Sequence, residues 1–411
     1  MSKFFDAAES RDPEARERDL LARLPGQIAH AQAKSAHFAK ALAGVDARAV
    51  TTRAALAQLP VLRKHALIEL QKEAKPFGGL TATPLASPFA GLAHVFSSPG
   101  PIYEPEGYGE DWWRFARALY AAGMRAGDLV HNTFAYHFTP AGFMVDGAAR
   151  KIGCCVFPAG TGQTEQQVVA INDLKPSAYV GTPSFLKIII EKADELKLDI
   201  TSLRMASVSG EAFFPAQKTL FAERGISALQ SYGTADLGLI AYETEAHEGM
   251  VLGEDLILEI VRPGTGDPVA PGEVGEVVIT TFNPDYPLDR FGTGDLSALL
   301  PGVSPCGRTN TRIKGWMGRA DQTTKVKGMF VHPEQVAAVV KRHPEIAKAR
   351  LVVTNVGGND LMTLHCEGSA AADAVAATLR DITKLRGEVN FVAAGSLAND
   401  GKVIEDARKY D

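Results

Sequence analysis

Apolar residues recur at helical spacing in the first part of the chain. The positions that form this stripe are Leu20, Leu21, Leu24, Ile28 and Ala31. They are one, three or four residues apart, as expected for one face of an amphipathic helix. Pro60 and Pro76 are expected to end helices in this segment. The pattern predicts a helical cap over about residues 1–80.

Between about residues 128 and 232, short apolar strands alternate with helical stretches. The predicted strands are 129–134, 154–158, 178–181, 205–209 and 228–232. Such alternation is typical of a doubly wound, largely parallel sheet with helices on both faces. Ligands bind at the carboxyl ends of the strands in these sheets, so functional residues are expected there.

The alternation stops after residue 250. Segments 256–261 and 275–281 are predicted antiparallel strands of a β subdomain at about 250–310. A compact unit follows, with predicted helices at 333–341 and 370–385 and strands at 350–354, 361–367 and 389–393. The predicted fold class is α/β. A large N-terminal domain (1–321) would hold doubly wound, mostly parallel sheets and the β subdomain, followed by a small, mobile C-terminal α+β domain (322–411).

Composition narrows the classes of function. The chain has 411 residues, a formal net charge of −5, 45% hydrophobic and 22% charged residues, which is typical of an α/β enzyme. It has no basic run that could follow a phosphate backbone, so nucleic acid is not an expected partner. No apolar run reaches the roughly 18 residues of a membrane span, and the first ten residues do not read as a signal sequence. The four cysteines do not form a disulfide framework. The cytoplasm is the expected compartment.

Three short motifs carry candidate chemistry. Ser231-Tyr-Gly-Thr-Ala-Asp236 ends a predicted strand and offers close backbone approach, a hydroxyl for phosphate and a carboxylate for Mg²⁺. Arg290-Phe-Gly-Thr-Gly-Asp295 presents a carboxylate suited to a ribose cis-diol. The segment 318–334 lies at the predicted domain boundary and fits a hinge with ligand contacts on both sides. Taken singly, each motif also fits an ordinary structure: a capped turn, a hairpin turn and a solvated linker.

The order of these motifs resembles a known family. Val208-Ser-Gly-Glu211 precedes them, and Gly401-Lys402 follows near the C-terminal end. Together they resemble the adenylate-forming superfamily of acyl-CoA synthetases, most of all its phenylacetate–CoA ligase branch, over about residues 85–411. The resemblance implies that ATP and Mg²⁺ activate a carboxylic acid to an acyl-adenylate, from which CoA displaces AMP.

The resemblance assigns nucleotide contacts. It implies that Tyr232 stacks on adenine, that Thr234 contacts the α-phosphate and that Asp236 holds Mg²⁺. It also implies that Asp295 binds the ribose hydroxyls with help from Arg319. The other predicted cofactor contacts are Ser97, Ser98, Gly100, Gly210, Glu211, Ala212, Gly233, Lys325, Lys327 and Gly328.

The resemblance also assigns a catalytic lysine, a hinge and an acid pocket. Lys402 would neutralise charge on the phosphate and carboxylate oxygens during adenylation. Asp321 would be the hinge on which the small domain rotates. Tyr136, Phe138 and Phe213 would line the pocket, and their aromatic side chains suit a flat apolar substrate.

Two segments depart from the family pattern. The phosphate loop at 96–105 lacks the usual lysine and instead has Glu104 and prolines, which remove backbone donors. ATP would then depend more on Mg²⁺ and the other motifs. Many relatives also hold a structural Zn²⁺. The equivalent positions in this chain are Thr244, Val251, Ser304 and Cys306. A single thiolate cannot form a tetrahedral site, so zinc is not expected.

Three functions are compatible with these motifs. The leading one is an AMP-forming ligase that joins an aryl or arylacetic acid to CoA. The second is an adenylyltransferase that holds or releases the adenylate without CoA, and a CoA tunnel beside residues 325–328 would distinguish the two. The third is a binder of nucleotide or aryl acid without turnover, suggested by the altered phosphate loop. Relatives are often homodimers, so the resemblance extends to that assembly.

Overall fold

The computed structural model describes residues 2–82, 87–320, 322, 324–326, 329–356 and 359–408 of the chain. Its N-terminal elements are α1 (Pro13–Lys34), α2 (Ala36–Ala41), α3 (Arg53–Leu56), β1 (Leu62–Arg63) and α4 (Leu67–Glu73). Helix α1 begins where the Asp12 carboxylate accepts a hydrogen bond from the backbone N–H of Ala15 at 2.8 Å. The predicted helical cap is therefore present, but it also contains the short strand β1.

The middle of the chain builds a separate two-stranded hairpin and most of the main sheet with its covering helices. The elements are β2 (Leu92–Ser98), β3 (Ile102–Gly107), α5 (Ala116–Ala121), β4 (Leu129–Asn132), α6 (Ala141–Ile152), β5 (Cys155–Pro158), α7 (Thr164–Leu174), β6 (Ala178–Gly181), α8 (Pro183–Leu196), β7 (Met205–Val208), α9 (Pro215–Glu223), β8 (Ser227–Thr234), β9 (Gly238–Glu243) and β10 (Met250–Leu252). Strands and helices alternate from β4 to β8, as the apolar pattern predicts.

The remaining elements form the β subdomain, the last two strands of the main sheet and the C-terminal unit. They are β11 (Leu256–Val261), β12 (Gly275–Thr281), β13 (Phe291–Ser297), β14 (Leu299–Leu300), β15 (Arg312–Ile313), β16 (Thr324–Val326), β17 (Met329–Val331), α10 (Pro333–Arg342), β18 (Ile346–Val356), β19 (Asn359–Gly368), α11 (Ala372–Thr383), β20 (Glu388–Val392) and β21 (Ile404–Asp406). We refer to residues 324–408 as the C-terminal unit.

The main sheet has the strand order β14-β15-β10-β9-β8-β7-β6-β4-β5 within the described residues. Strands β4 to β8 pair in parallel, and pairing becomes antiparallel from β8 to β9. Every residue of β6 is buried, as expected for a parallel strand with both faces covered. The α/β fold class is confirmed. The motif at 231–236 lies where the parallel strands end.

The β subdomain has the strand order β1-β13-β12-β11. Strand β1 pairs in parallel with β13, with Leu62 opposite Phe291. Helix α1 packs against this sheet, so that Leu24 and Ile28 share one core with Ile257. The N-terminal helices and the β subdomain therefore bury a common apolar surface. An ion pair beside this surface joins Arg16 of α1 to Glu254, which lies 238 residues later in the chain.

The C-terminal unit has its own core beneath a sheet of order β20-β19-β18-β21. The prediction of this unit was incomplete, because it ended with the strand at 389–393. The structure adds β21, which pairs in parallel with β18, with Leu351 opposite Ile404. None of the described helices is both long enough and apolar enough to cross a membrane. The division into domains at residue 321 stays a prediction, since Asp321 lies outside the described residues.

Candidate active site

Tyr232, Asp295 and Arg319 come together from the three sequence motifs. The Tyr232 hydroxyl donates to Asp295 Oδ2 at 2.9 Å. Arg319 donates to Asp295 Oδ1 at 2.9 Å, and the indole N–H of Trp316 donates to the same oxygen at 3.0 Å. Burial raises the pKa of the Tyr232 hydroxyl well above its usual range, and the neighbouring Asp295 charge adds to this rise. Tyr232 therefore stays neutral and acts as a donor that fixes the carboxylate.

A second charged cluster forms around Asp236. Its side chain is buried, and Oδ2 accepts a hydrogen bond from the Lys64 ammonium at 2.8 Å. Asp236 Oδ1 is buried and has no hydrogen-bond partner among the described residues. The same holds for the buried hydroxyl of Tyr286, whose pKa is raised by burial and by the charges of Asp236 and Glu104. Two buried polar atoms without a hydrogen-bond partner among the described residues therefore belong to Asp236 and Tyr286.

Glu104 belongs to this second cluster. It is buried, and Ser98 donates to it through both its hydroxyl and its backbone N–H, the latter at 3.1 Å. Burial raises the pKa of Glu104 to about 7, and the charge of Asp236 contributes to the rise. The acid that replaces the family's loop lysine thus lies close to the predicted metal ligand, and Lys64 supplies a positive charge beside both carboxylates.

The phosphate loop is a hairpin formed by β2 and β3. Ser97 is half-buried, and its backbone N–H donates to the carbonyl of Phe138 at 2.8 Å. Ser98 is buried and turned towards Glu104. Gly100 is exposed at the tip of the hairpin. The loop therefore contacts both the acidic cluster and the segment predicted to bind the acid.

One of the predicted acid-binding aromatics, Tyr136, belongs to a cluster of rings. Tyr136 packs edge-on against Phe143, with ring centroids 5.6 Å apart, and Phe143 also contacts Phe96 and His94. The Tyr136 hydroxyl accepts from Asn132 at 2.8 Å. Burial raises the pKa of this hydroxyl, and the nearby charge of Asp146 adds to the effect. Sequence reasoning missed Phe143 and His94, which have no motif of their own.

Phe138 and Phe213 lie in contrasting environments. Phe138 is 81% exposed and has a positive φ of 62°, a conformation that costs energy for a residue with a side chain. Phe213 is buried and stacks on Phe221 with ring centroids 5.7 Å apart. The structure therefore places Phe213 in a core cluster, and its role as a substrate contact stays a prediction.

The glycines and hydroxyl of the nucleotide motifs have local structural roles. Gly233 cannot take a larger side chain without change, because a Cβ atom there would lie 2.6 Å from the Gly238 carbonyl oxygen. The Thr234 hydroxyl oxygen accepts from the Leu237 N–H at 3.1 Å and closes the turn that carries Asp236. Its hydroxyl hydrogen is therefore directed elsewhere and suits a phosphate oxygen.

The predicted cofactor contacts Gly210, Glu211 and Ala212 follow strand β7 and lie beside the start of helix α8. The Glu211 carboxylate accepts from the Ser184 N–H at 2.6 Å, which satisfies a donor of the first helical turn. Gly210 has a positive φ of 84°, and a Cβ atom there would lie in ordinary contact with Thr182, at 3.6 Å, and Phe134, at 3.7 Å. Ala212 is half-buried. Glu211 is thus tied to α8, and the carbonyls and N–H groups of this turn are the atoms that could face a base.

Lys402 lies apart from both charged clusters in this structure. Its side chain is exposed and lines a cavity of about 660 Å³ between the β subdomain and the C-terminal unit. Arg262, Lys341 and Lys348 line the same cavity. Among the other predicted contacts, Asp321, Lys327 and Gly328 lie outside the described residues, and Lys325 is described only through its backbone in β16.

The positions of the family's zinc site hold a hydrogen-bonded cluster. Arg308 donates to Cys306 Sγ at 3.6 Å and to the buried Glu9 carboxylate at 3.1 Å. Burial would raise the pKa of the Cys306 thiol, but hydrogen bonds with Ser304, Thr244 and Arg308 lower it below its usual value. Val251 is a buried apolar residue of β10. Among the described residues, no group of three or more His, Cys, Asp or Glu side chains could hold a metal ion.

Comparisons with known proteins show related sequences and a similar fold. Residues 112–283 match a family model described as AMP-binding enzyme. A phenylacetate-coenzyme A ligase of Aromatoleum evansii is 31% identical over 365 residues, which cover 84% of this chain and 80% of that protein. Another from Thermus thermophilus is 32% identical over 343 residues, covering 80% and 75%. The structure of a 2-hydroxyisobutyryl-CoA ligase in complex with 2-HIB-AMP superimposes with a TM-score of 0.73 at 24% identity, over 98% of this chain and 92% of that one. This last likeness concerns the fold.

Proposed function

Since the chain belongs to the phenylacetate–coenzyme A ligase family, we propose that it activates an aromatic carboxylic acid with ATP to an acyl-adenylate and then transfers the acyl group to CoA. It is an AMP-forming acid–CoA ligase. The aromatic class of acid is supported by the rings of Tyr136, Phe143 and Phe96 beside the phosphate loop.

The observation that carries the proposal is the convergence of three motifs on one carboxylate. Asp295 receives hydrogen bonds from Tyr232 and Arg319, which are 63 and 24 residues away along the chain. Together with the indole N–H of Trp316, three donors therefore fix the orientation of Asp295 before any ligand binds. Such a fixed carboxylate, next to an aromatic side chain, suits recognition of a ribose and its base.

The residues around Asp236 fit a magnesium ion that accompanies ATP. Asp236 Oδ1 is buried without a hydrogen-bond partner among the described residues, and Glu104 offers a second carboxylate nearby. Mg²⁺ is usually held by one or two carboxylates together with substrate phosphates. When bound, the ion would neutralise charge on the triphosphate and on the leaving pyrophosphate. We propose Asp236 as its ligand.

The protein's own residues account for charge and orientation in the first half-reaction. A carboxylate oxygen of the acid attacks the α-phosphorus, a new O–P bond forms, and the bond to pyrophosphate breaks. Thr234 would donate to an α-phosphate oxygen. Lys64 and Lys402 would offset the negative charge that builds up on the phosphate and carboxylate oxygens. Lys64 would thus supply the positive charge that a lysine of the phosphate loop provides in other members of the family.

The second half-reaction uses the acyl-adenylate as an electrophile. The CoA sulfur attacks the acyl carbon, a C–S bond forms, and the C–O bond to AMP breaks, with the thiol proton leaving to solvent or base. Because Lys402 lies on the C-terminal unit and away from Asp236 in this structure, we propose that this unit rotates about Asp321 between the half-reactions. Residues 325–328 would then meet CoA.

Assembly and compartment belong to the same proposal. We propose a homodimer that works in the cytoplasm, on the basis of the family resemblance. Sedimentation of the purified chain at several concentrations tests the dimer, because a single species of monomer mass at all of them would refute it.

The decisive experiment is ATP–pyrophosphate exchange with a panel of aromatic and aliphatic acids, with and without CoA. We expect exchange that depends on an aromatic acid and Mg²⁺, and acyl-CoA formation when CoA is added. Lys402→Ala should slow exchange by about a hundredfold or more, since it removes charge stabilisation from the transition state. The exposed Lys341→Ala, which lines the same cavity, is the matched control.

The outcomes separate the candidate functions. Exchange without acyl-CoA formation would favour an adenylyltransferase, and exchange only with aliphatic acids would refute the aromatic substrate class. If no acid supports exchange although ATP binds, the ligase proposal fails. Wild-type exchange in Lys402→Ala would remove Lys402 from the catalytic residues.

A further inference from the structure

The amide of Gln322 holds the backbone on both sides of Lys402. Gln322 Nε2 donates to the carbonyl of Gly401 at 2.9 Å. Its Oε1 accepts from the N–H groups of Val403 at 2.5 Å and Ile404 at 2.8 Å. A single side chain therefore satisfies three backbone groups that flank the predicted catalytic lysine.

A second contact holds the same loop from within the C-terminal unit. Arg350 Nε donates to the Lys402 carbonyl at 3.2 Å, and Arg350 also pairs with the Asp400 carboxylate. The N–H of Lys402 donates to Asp400 Oδ1 at 3.0 Å. The backbone of Lys402 is thus held by hydrogen bonds, whereas its side chain is exposed and lines the cavity.

Gln322 also contacts the residues before the predicted hinge. Its backbone N–H donates to the Ala320 carbonyl at 2.9 Å, and its side-chain amide approaches the Arg319 carbonyl at 3.4 Å. Arg319 in turn donates to Asp295. A chain of contacts therefore runs from the predicted ribose carboxylate through Arg319 and Gln322 to the loop that carries Lys402.

The lysine loop is docked tightly on the β subdomain at this point. Gly401 has a positive φ of 70°, and a Cβ atom there would lie 2.9 Å from Val274 and 3.0 Å from Leu296. The N–H of Val274 donates to the Asn399 side chain at 3.1 Å. Leu296 directly follows Asp295 in β13. The loop position is therefore set by contacts next to the nucleotide motif.

We propose that Gln322 is a positioning residue for Lys402, which it holds at the angle needed for adenylation. This inference rests on the proposed role of Lys402. Gln322 directly follows Asp321, so it travels with the lysine loop when the C-terminal unit rotates, and its hydrogen bonds to Gly401 and Val403 persist. The side chain touches no substrate and acts only through the backbone of the loop.

The test measures the two half-reactions separately. Gln322→Ala removes all three hydrogen bonds, and Gln322→Glu keeps the acceptor for Val403 and Ile404 but loses the donor to Gly401. Gln335→Ala is the control, because Gln335 lies in the C-terminal unit, as Lys402 does, but bonds to His332 and Ile382. Exchange is measured with the fastest acid of the panel, and thioester formation is measured from its chemically synthesised adenylate and CoA.

We expect Gln322→Ala to slow exchange about tenfold or more, Gln322→Glu to slow it less, and both to form the thioester at nearly the wild-type rate. In a Lys402→Ala background, Gln322→Ala should cause no further loss, since it acts through that lysine. Gln335→Ala should leave the ratio of the two half-reactions unchanged. In hydrogen-exchange mass spectrometry, the peptide containing Val403 and Ile404 should exchange faster in Gln322→Ala.

Three kinetic results would refute the inference. Gln322→Ala could exchange pyrophosphate at the wild-type rate, slow both half-reactions equally, or add its full loss to that of Lys402→Ala. Unchanged protection of Val403 and Ile404 would also overturn it, and this readout needs no turnover. If Lys402→Ala has no effect on exchange, both the role of Lys402 and the inference about Gln322 are refuted. If Lys402→Ala slows exchange but Gln322→Ala does not, only the role of Gln322 is refuted.

Discussion

Asp289 offers a quantitative test of the structure, because it is a buried carboxylate without a cationic partner among the described residues. It is 2% exposed, and Oδ1 accepts a hydrogen bond from Gln27 of helix α1 at 3.0 Å. Oδ2 has no partner within the described part of the chain. Burial raises the pKa of Asp289 from its usual 3.8 to about 7, although the Gln27 hydrogen bond lowers it somewhat.

The sign of the effect follows from this raised pKa. Between about pH 4 and pH 7 the folded protein holds a proton that the unfolded chain has released, so stability falls as the pH rises. A tenfold change in acidity corresponds to about 1.4 kcal/mol, which gives a loss of about 4 kcal/mol by pH 8. Asp289→Asn cannot ionise and should not show this loss.

The measurement is urea unfolding of wild type and Asp289→Asn at pH 5 and pH 8, followed by tryptophan fluorescence. Relative to wild type, the variant should gain about 2–4 kcal/mol on going from pH 5 to pH 8. The exposed Asp267→Asn of the same subdomain is the control and should show no such gain. An equal difference between Asp289→Asn and wild type at both pH values would refute a raised pKa for Asp289.

Further variants test the buried ion pair between Arg290 and Glu259 and the hydrogen bond that Tyr232 donates to Asp295. Arg290 forms a buried bidentate ion pair with Glu259, at 2.9 and 3.0 Å. Arg290→Met should lower the free energy of unfolding by about 3–5 kcal/mol, because it leaves the buried Glu259 charge without a partner. A loss of less than about 1 kcal/mol in a denaturant titration would contradict this expectation. Tyr232→Phe removes the donor to Asp295 Oδ2 and should weaken AMP binding about tenfold, as measured by calorimetry; an unchanged affinity would show that Tyr232 does not fix Asp295.

Local pattern was sufficient for the regular elements but not for the short ones. Strands β6, β11 and β12 match their predicted bounds, because their apolar runs end at clear turn residues. Strand β1 has only two residues, and β21 follows a polar loop. Neither offers an apolar run that a sequence pattern could detect. Each forms because another strand supplies its hydrogen bonds.

The site was predicted only where a motif carried it. Tyr232, Asp295 and Arg319 each belong to one of the three motifs that the sequence shows, and these three residues come together in the structure. Lys64 could not be found in this way, since it lies 172 residues from Asp236 along the chain. Arg290 begins the motif that ends at Asp295, and its guanidinium is buried against Glu259 of β11, a pairing that the motif does not indicate. Pairing between remote charges depends on the three-dimensional fold, which local spacing does not encode.

The common core of the N-terminal helices and the β subdomain has a consequence for synthesis on the ribosome. Arg16 of α1 meets Glu254, just before β11, across 238 residues of sequence, and translation at roughly 5–20 residues per second would separate their appearance by about 12–48 s. During that interval the apolar face of α1 can pack only against the other N-terminal helices, because its partners in the β subdomain are not yet made. A nascent chain of this protein is therefore expected to need a chaperone that covers its first helix, and slower elongation should increase its aggregation.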